Sequence, residues 1–213
     1  MQLKATPEQE DFSGKYEEDS AIAKRMLDGY FNTVEKLTKE SGVNKRKKAK
    51  AIELGCGEGH STQRINKFLS KNVTLQASEY VAKQIAIAKK LNPGIKITEE
   101  NIYELPHKDK EFDLIYLLEV LEHLDYPDKA LKEVSRVLKD DGYMILGVPR
   151  EPIWRALNMS RGKYLKDFGN TPGHLNHWSS TTLVQYLEEH FGVVESIKTP
   201  LPWTIVLVGK KKK

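Results

Sequence analysis

Short apolar runs of strand length alternate with helical patterns along most of the chain, and this alternation limits the possible folds more than any other feature. The runs 49–54, 73–78 and 112–118 are separated by segments whose apolar residues recur at helical spacing. Two strands joined by a helix form a parallel pair, because the helix carries the chain back along a face of the sheet. The sequence therefore predicts an α/β fold, with a sheet that helices cover on both faces.

Two segments depart from this pattern. The apolar runs 193–198 and 203–208 are joined only by residues 199–202. A parallel crossover needs about a dozen residues or more, so we expect the last strand to be antiparallel. The segment 150–178 has no regular pattern, and irregular segments of that length are usually lids or binding loops.

Length and composition exclude several classes of protein. A chain of 213 residues, 39% of them hydrophobic, is long enough for one globular domain. It has no apolar stretch long enough to span a membrane and no secretory signal in residues 1–11, so we expect a cytoplasmic protein. Its single cysteine, Cys56, excludes an internal disulfide and a zinc site built from several thiolates.

The formal net charge is +4, and much of the positive charge lies in two clusters, residues 45–50 and 210–213. Each cluster can be a solvated end of the fold or a binding surface for RNA or an anionic membrane. Both are predicted at the edge of the sheet opposite to the carboxyl ends of the parallel strands. This placement argues against a role in guiding nucleic acid into a site at the carboxyl ends.

Three glycines at alternate positions, Gly55, Gly57 and Gly59, follow the first strand and precede the first crossover helix. Ligands of open α/β sheets bind at the carboxyl ends of the strands, where this turn lies. Glycine also occurs in tight turns for structural reasons alone. A dinucleotide-binding turn would have a glycine in place of His60, so the spacing does not match a dinucleotide site.

Two glutamates lie at the ends of the first two strands. Glu53 precedes the first glycine by two residues, and Glu79 ends the second strand. A carboxylate at position 53 would repel a pyrophosphate but suits an ammonium or sulfonium group. A carboxylate at position 79 can accept hydrogen bonds from the hydroxyls of a ribose. The sequence therefore predicts a nucleoside ligand without phosphates.

From about residue 50 to residue 208 the sequence resembles the class I S-adenosylmethionine-dependent methyltransferases, in particular the small-molecule subgroup that includes the ubiquinone and menaquinone biosynthesis enzymes. The resemblance rests on Glu79 and on the segments AIELGCGEG, NIYELPHKDKEFDLIYLLEVLEHL and ALKEVSRVLKDDGYMILGVP, which occur in the family's order and spacing. It implies a Rossmann-like three-layer sandwich with seven strands, mostly parallel, in the order 3-2-1-4-5-7-6 and with strand 7 antiparallel. It also implies S-adenosylmethionine as the methyl donor and S-adenosylhomocysteine as the product.

The resemblance further implies a division of the chain. Residues 1–44 would form an N-terminal helical cap, and residues 45–213 would form the methyltransferase domain. The irregular segment, about 150–178, would be a lid inserted into that domain.

Carried over by position, the resemblance assigns the cofactor-binding residues. Glu79 would hold the ribose and Tyr80 would flank the adenine. Asn101 stands where the family commonly has an aspartate that binds the adenine amino group, and an amide oxygen can accept the same bond. Tyr16 would close the pocket, while Cys56 would contribute its backbone and has no oriented base that would make it a nucleophile. The full set of expected cofactor contacts is Tyr16, Glu53, Gly55, Cys56, Gly57, Glu79, Tyr80, Asn101, Ile102 and Leu118.

Glu119, Glu122 and His123 follow the fourth strand at positions i, i+3 and i+4, which a helical turn would bring to one face. Glu122 and His123 can brace the loop by hydrogen bonds, or His123 can act as a general base or orient the acceptor. In a third interpretation Glu119, Glu122 and His123 bind a divalent metal. The family's ubiquinone-pathway O-methyltransferases and RNA 3'-terminal ribose methyltransferases show a similar Glu-x-x-Glu-His. The RNA enzymes add a histidine from a later H-x-x-H segment, which is present here as His174 and His177. We expect no metal and take His123, Glu119 and His177 as the catalytic candidates.

The predicted function is transfer of a methyl group to an O or N atom of a small molecule, without a nucleic-acid partner. One alternative is a metal-dependent RNA ribose 2'-O-methyltransferase, and another is a non-catalytic S-adenosylmethionine-binding module. The lid also contains four aromatic residues that can either form a wall for an apolar or planar acceptor or pack in the core. They are Trp154, Tyr164, Phe168 and Trp178.

Overall fold

The structure, a computed structural model, describes residues 21–210, and within them six α-helices surround one seven-stranded sheet. The helices are α1 (Ala21–Glu40), α2 (His60–Phe68), α3 (Ala82–Leu91), α4 (Pro127–Val137), α5 (Ile153–Ser160) and α6 (Ser180–His190). The strands are β1 (Ala49–Leu54), β2 (Val73–Glu79), β3 (Lys96–Glu99), β4 (Phe112–Leu118), β5 (Leu138–Pro149), β6 (Gly192–Lys198) and β7 (Trp203–Lys210). Short 3-10 turns cover Val43–Lys45, Leu121–His123 and Leu165–Asp167.

The strands are arranged in the order β3-β2-β1-β4-β5-β7-β6. Strands β1 to β5 pair in parallel, and β7 runs antiparallel to both β5 and β6. The predicted fold class, strand order and direction of the last strand are therefore confirmed. The carboxyl ends of β1, β2 and β4 lie side by side at one edge, which brings the residues after these strands together.

The two faces of the sheet pack into two large hydrophobic cores, and a smaller third cluster joins α3 to β2 and β3. On one face Ile115 of β4 shares a core with Leu131 of α4 and with residues of α6. On the other face Tyr116 shares a core with Val34 of α1 and Ile65 of α2. Alternate residues of β4 thus point to opposite faces of the sheet. All seven residues of β4 are buried, which requires that both faces are covered. The division into a cap and a methyltransferase domain stays a prediction.

Local sequence signals set several helix ends. Ser179 caps α6: its hydroxyl accepts a hydrogen bond from the Thr182 N–H, and the Thr182 hydroxyl accepts one from the Ser179 N–H. Pro127 begins α4, where its missing N–H is not needed. Gly42, which follows α1 closely, has a φ of 72°, in the left-handed region that glycine adopts readily.

The irregular segment 150–178 contains a helix that sequence patterns did not reveal. Helix α5 is only eight residues long, and isolated helices of that length are not stable on their own. The buried side chain of Asn158 holds its end in place by donating hydrogen bonds to the Gly169 carbonyl and the Thr171 hydroxyl. The helix therefore depends on tertiary contacts, which a periodicity of apolar residues does not report.

The edge of the sheet opposite to the glycine turn carries paired charges. Asp113, at the start of β4, accepts hydrogen bonds from Arg46 and Lys139. Burial alone would raise the pKa of Asp113, but these cationic partners and the Lys50 N–H hold it below its usual range. Lys210 lies within 3.2 Å of Asp140 at the same edge. Arg46 and Lys210, one from each basic cluster, thus pair with acidic residues at this edge. Residues 211–213 lie outside the described part. None of the helices among residues 21–210 has the length and apolar character that crossing a bilayer requires.

Candidate active site

The glycine turn that follows β1 has a backbone conformation that favours glycine at two of its positions. Gly55 and Gly57 have φ values of 74° and 54°, in the left-handed region. A Cβ at position 55 would lie 2.6 Å from Val120 Cγ2, so a side chain there would also clash. The N–H groups of Gly55 and Cys56 both donate to the Ser78 carbonyl at 2.9 Å, which ties the turn to the end of β2. The turn leaves backbone exposed to a ligand at close range.

Glu53, at the end of β1, is a buried carboxylate beneath this turn. The Thr62 hydroxyl donates to Glu53 Oε2 at 2.5 Å, while Oε1 has no hydrogen-bond partner of good geometry within residues 21–210. Burial raises the pKa of Glu53 to about 7, against the lowering effect of the Ser61 and Thr62 hydroxyls. A buried carboxylate with one oxygen still available fits a cationic group of a ligand better than an anionic one.

Glu79, at the end of β2, accepts three backbone hydrogen bonds. Its Oε2 accepts from the Gly57 N–H at 2.8 Å, and its Oε1 accepts from the N–H groups of Tyr80 and Val81 at 2.7 and 3.1 Å. The carboxylate therefore joins the glycine turn to the segment after β2. Its remaining lone pairs can accept hydroxyl groups, as expected for a ribose site. Tyr80 is exposed beside it and can flank a planar ring.

The other residues predicted to bind the cofactor line the same edge. Asn101 follows β3, and its Oδ1 accepts a hydrogen bond from the Tyr103 N–H at 3.0 Å. Ile102 packs partly against the core, and Leu118 ends β4. Cys56 is buried, and burial raises the pKa of its thiol, which keeps the thiol protonated and agrees with a structural role. Tyr16 lies outside the described residues.

Glu119, directly after β4, has a backbone φ of 59°, which is uncommon for a residue with a side chain. Its N–H donates to the Gly147 carbonyl at 2.8 Å, and its Oε2 accepts a hydrogen bond from Trp203 Nε1 at 3.0 Å. A cavity opens beside it. The residues that line this cavity are Leu27, Tyr30, Phe31, Ser61, Leu118, Glu119 and Trp203.

Sequence patterns did not identify Trp203 or the α1 residues of this cavity. Trp203 begins β7, and because β7 is antiparallel, its first residue lies at the edge where the parallel strands end. The predicted direction of the last strand was thus a signal that could have found it. The residues of α1 gave no such signal, since their apolar spacing is the same as that of an ordinary core helix.

The lid brings a histidine to the turn after β4. The rings of His123 and His174 lie 4.9 Å apart at 85°. Ligand atoms of Glu122, His123 and His174 all lie within 4.8 Å of one another. Glu119, which the sequence grouped with Glu122 and His123, instead directs a carboxylate oxygen toward Trp203.

The arrangement of the lid explains why His174 and not His177 reaches this cluster. The N–H groups of Leu175 and Asn176 both donate to the Glu122 carbonyl, at 2.8 and 3.0 Å. These bonds fix residues 175 and 176 of the lid against the turn after β4. His177 lies outside the cluster, with its Nε2 at 2.6 Å from Asn170 Oδ1.

The ring of His123 has a defined orientation. Its Nδ1 lies 3.1 Å from the Gly173 carbonyl, and since a carbonyl only accepts, Nδ1 must carry the proton of this hydrogen bond. A neutral ring then has its lone pair on Nε2. That nitrogen is the atom that can accept a proton or bind a metal.

A continuous row of rings connects α1 with His123. Successive ring centroids lie 5.0 Å apart from Tyr30 to Trp203, 6.0 Å from Trp203 to Trp154, 6.0 Å from Trp154 to His174 and 4.9 Å from His174 to His123. One of the four lid aromatics, Trp154, is therefore part of a wall beside the site.

The other three lid aromatics lie elsewhere. Trp178 is buried in the core that contains α4 and α6, so its role is core packing. Tyr164 and Phe168 are exposed on the outer side of the lid.

The sequence of this site matches a known family. The model of the methyltransferase domain family matches residues 52–146, which extend from β1 into β5 and include the glycine turn and Glu79. Residues 52–146 thus have the sequence of a class I S-adenosylmethionine-dependent methyltransferase domain. A domain of this family uses S-adenosylmethionine as its cofactor, and the buried Glu53 and the glycine turn fit the cationic methionine part of that molecule.

This chain matches only part of the length of each curated relative reported below. Over 154 residues the chain is 27% identical to the mitochondrial ubiquinone biosynthesis O-methyltransferase of Dictyostelium discoideum, a match over 66% of this chain and 47% of that protein. Over 98 residues it is 29% identical to a probable S-adenosylmethionine-dependent methyltransferase of Mycobacterium tuberculosis, over 46% of this chain and 35% of that protein. The chain spans about a third to a half of the length of the curated relatives it matches.

Among solved structures, a SAM-dependent methyltransferase from Aquifex aeolicus has the same fold. The TM-score is 0.70 at 18% identity, over 94% of this chain and 98% of that chain. At this level of identity the likeness concerns the fold of the methyltransferase domain alone.

Cofactor binding is expected to release a proton from Glu53 below about pH 7, because its pKa is raised to about 7 and an ammonium group beside it would lower that pKa. The affinity for S-adenosylhomocysteine should fall by up to about tenfold for each pH unit below 7 and should be constant well above it. Calorimetry in two buffers of different ionisation enthalpy measures the proton release. Glu53→Gln, which cannot ionise, should bind without releasing this proton. Equal binding heats in both buffers near pH 6 for the unmodified protein would contradict the assignment.

Proposed function

We propose that the methyltransferase domain transfers a methyl group from S-adenosylmethionine to an O or N atom of a small-molecule acceptor. The observation that carries the proposal is that two features lie next to each other. One is a glycine turn flanked by Glu53 and Glu79. The other is a cavity that is lined by Leu118 and Glu119 and by aromatic side chains. The first suits a phosphate-free cationic nucleoside, and the second lies beside it on the side where an acceptor would bind. A cytoplasmic location stays a prediction.

The protein's contribution to this reaction is mainly alignment. The bound cofactor supplies a methyl group on a positively charged sulfur, which is displaced in line by the acceptor atom. Glu53 would bind the cationic methionine part and Glu79 would hold the ribose, which leaves the cavity beside Glu119 for the acceptor. Orientation of this kind can contribute about 7 to 11 kcal/mol to lowering a barrier. An acceptor hydroxyl or amine must also lose a proton, and His123 Nε2 has the lone pair to take it.

The wall of rings favours an acceptor with a planar or apolar part. Tyr30 and Trp203 line the cavity, and the row of rings continues from Trp203 to Trp154. Such rings stack on other planar groups. Trp203 also holds Glu119 through its Nε1–H, so the carboxylate has a fixed place at the rim. A second polar group of the acceptor, if it is a donor, would meet this carboxylate.

Transfer of labelled methyl to a cell extract tests the proposed function. The extract is incubated with labelled S-adenosylmethionine and the protein, then separated into small molecules, RNA and protein. We expect label in the small-molecule fraction, and none when Glu79→Ala replaces the unmodified protein. Label only in RNA or protein would contradict the acceptor class, and no label in any fraction would favour a non-catalytic binding module.

The cluster of Glu122, His123 and His174 favours a second candidate function, a metal-dependent methyl transfer to an acceptor with vicinal hydroxyls. A terminal ribose of RNA is one such acceptor. One carboxylate and two imidazoles are a donor set that suits a divalent transition metal such as manganese. The metal would supply a positive charge that lowers the pKa of a bound hydroxyl.

Replacing His174 separates the two candidates. If the cluster holds a metal, the unmodified protein should bind Mn²⁺ in calorimetry, and His174→Ala should weaken binding by about tenfold or more because one ligand is lost. The matched control is His177→Ala, three residues away and outside the cluster, which should leave the affinity unchanged. Absence of Mn²⁺ binding by the unmodified protein would contradict the second candidate.

A further inference from the structure

One stretch of the lid exposes four large apolar or aromatic side chains within ten residues. All ten residues from Met159 to Phe168 are exposed to solvent. The exposed fraction is 76% for Phe168, 60% for Leu165 and 41% for Met159, and Tyr164 is exposed as well. Several large apolar side chains exposed close together on a folded domain often mark a surface that binds a partner. We call residues 159–168 the lid tip.

The lid tip is held in place by hydrogen bonds at its base. The Lys163 N–H donates to the Asn158 carbonyl at 2.8 Å, and the Gly169 N–H donates to the Tyr164 carbonyl at 2.9 Å. The buried Asn158 side chain closes the base by donating to the Gly169 carbonyl at 2.9 Å. The apolar side chains are therefore exposed by a defined structure and not by a loose loop.

Two aromatic residues of the lid tip have strained backbone. Tyr164 and Phe168 have φ values of 53° and 50°, in a region that is rare for bulky residues. Such a conformation costs about 1 to 3 kcal/mol for each residue. Burial of the side chain can offset a cost of this kind, yet the Tyr164 side chain is 39% exposed and that of Phe168 is 76% exposed. The strain is explained if the rings enter an apolar phase that the chain itself does not provide.

The charges of the lid tip indicate which apolar phase this is. Arg161, Lys163 and Lys166 are basic and exposed, and Asp167 is the acidic residue among them. Basic side chains that surround exposed apolar ones are typical of surfaces that lie in the interface of an anionic membrane. There the apolar groups enter the acyl boundary, and each basic residue contributes about 1 kcal/mol.

We propose that the lid tip, residues 159–168, docks the protein onto the surface of an anionic membrane. RNA would also attract basic and aromatic side chains, but Met159 and Leu165 are aliphatic and offer a base nothing to stack on. The larger basic cluster, residues 45–50, leads into β1 at the opposite edge of the sheet, so it does not extend the lid tip into a nucleic-acid groove.

Docking through the lid tip would also bear on the acceptor, in an argument that rests on the proposed function. The same lid continues through Thr171 to His174, which contacts the ring of His123. A membrane-bound lid would therefore hold the acceptor cavity close to the lipid surface. An amphiphile that resides in the lipid phase, with a planar head that carries a hydroxyl or amine, fits both the surface and the wall of rings.

Sedimentation of the full chain with lipid vesicles tests docking without any assay of methyl transfer. The vesicles contain either phosphatidylcholine alone or phosphatidylcholine mixed with phosphatidylglycerol. We expect binding to the mixed vesicles that weakens as salt rises, because salt screens the basic side chains. Leu165→Ser/Phe168→Ser should lose about tenfold or more of this affinity, since two large side chains no longer enter the interface.

Matched variants separate the lid tip from general surface stickiness. Val193→Ser changes a side chain that is 56% exposed on β6 and should leave vesicle binding unchanged. Lys163→Glu/Lys166→Glu should remove the preference for phosphatidylglycerol. The affinity of every variant for S-adenosylhomocysteine should be unchanged, which separates a failure of docking from a failure of the proposed function.

Three outcomes would overturn the proposal. The first is absence of binding to both kinds of vesicle. The second is an equal loss of binding in Val193→Ser and in Leu165→Ser/Phe168→Ser. The third is binding of single-stranded RNA, without vesicle binding, that is lost in Leu165→Ser/Phe168→Ser, which would assign the lid tip to nucleic acid.

Discussion

Glu79→Ala is expected to lower the affinity for S-adenosylhomocysteine about 100-fold or more. Two hydrogen bonds from ribose hydroxyls to a carboxylate would be lost, and bonds to charged groups contribute about 1.5 to 3 kcal/mol each. The same change removes the acceptor of the N–H groups of Gly57, Tyr80 and Val81, so the glycine turn would also lose its support. Isothermal titration calorimetry measures the affinity.

Two further variants show which of these losses matters. Glu79→Gln keeps one oxygen that can accept from the backbone, so its affinity should lie between those of the unmodified protein and Glu79→Ala. Glu189→Ala removes an exposed carboxylate on α6, away from the turn, and should bind normally. Unchanged affinity in Glu79→Ala would refute the placement of the ribose at the end of β2.

His123→Ala is expected to lower turnover by about 100-fold or more while leaving the affinity for S-adenosylhomocysteine within about twofold. Loss of a general base typically costs about 100-fold to 10,000-fold in rate, and the proposed cofactor contacts, Glu53 and Glu79, lie at the ends of β1 and β2 rather than at His123. Rates are measured with the acceptor fraction that takes up label from S-adenosylmethionine.

His123→Asn distinguishes a general base from a residue that only holds the lid by a hydrogen bond. The asparagine amide can still donate to the Gly173 carbonyl, as His123 Nδ1 does, but it has no counterpart of the Nε2 lone pair. If His123 accepts a proton, both variants should be slow. If it only braces the lid, asparagine should restore turnover, and the proposed role would be wrong.

The parallel part of the fold and the cofactor edge followed from the sequence because both depend on local order along the chain. A strand that ends in glycine or glutamate places that residue at the carboxyl edge, whichever helices cover the sheet. Glu53, Gly55 and Glu79 could therefore be assigned to one edge before any contact between them was known. The antiparallel direction of β7 followed in the same way from the short connection 199–202.

The lid could not be predicted in this way because its conformation depends on contacts between distant segments. His174 and His177 are equivalent in a linear motif, and only the hydrogen bonds from residues 175 and 176 to the Glu122 carbonyl determine which of them meets His123. Helix α5 likewise depends on Asn158, whose bonds reach residues eleven and thirteen positions away.

The sequence by itself determined the sheet, its connections and the acidic residues around the glycine turn, since periodicity and strand ends are properties of neighbouring residues. Only the tertiary structure decided which histidine contacts His123 and that Glu119 accepts a hydrogen bond from Trp203. It also decided that Leu165 and Phe168 are exposed. Apolar residues have the same local pattern whether they pack in a core or face solvent. Which of the two occurs depends on the area that the rest of the fold can cover.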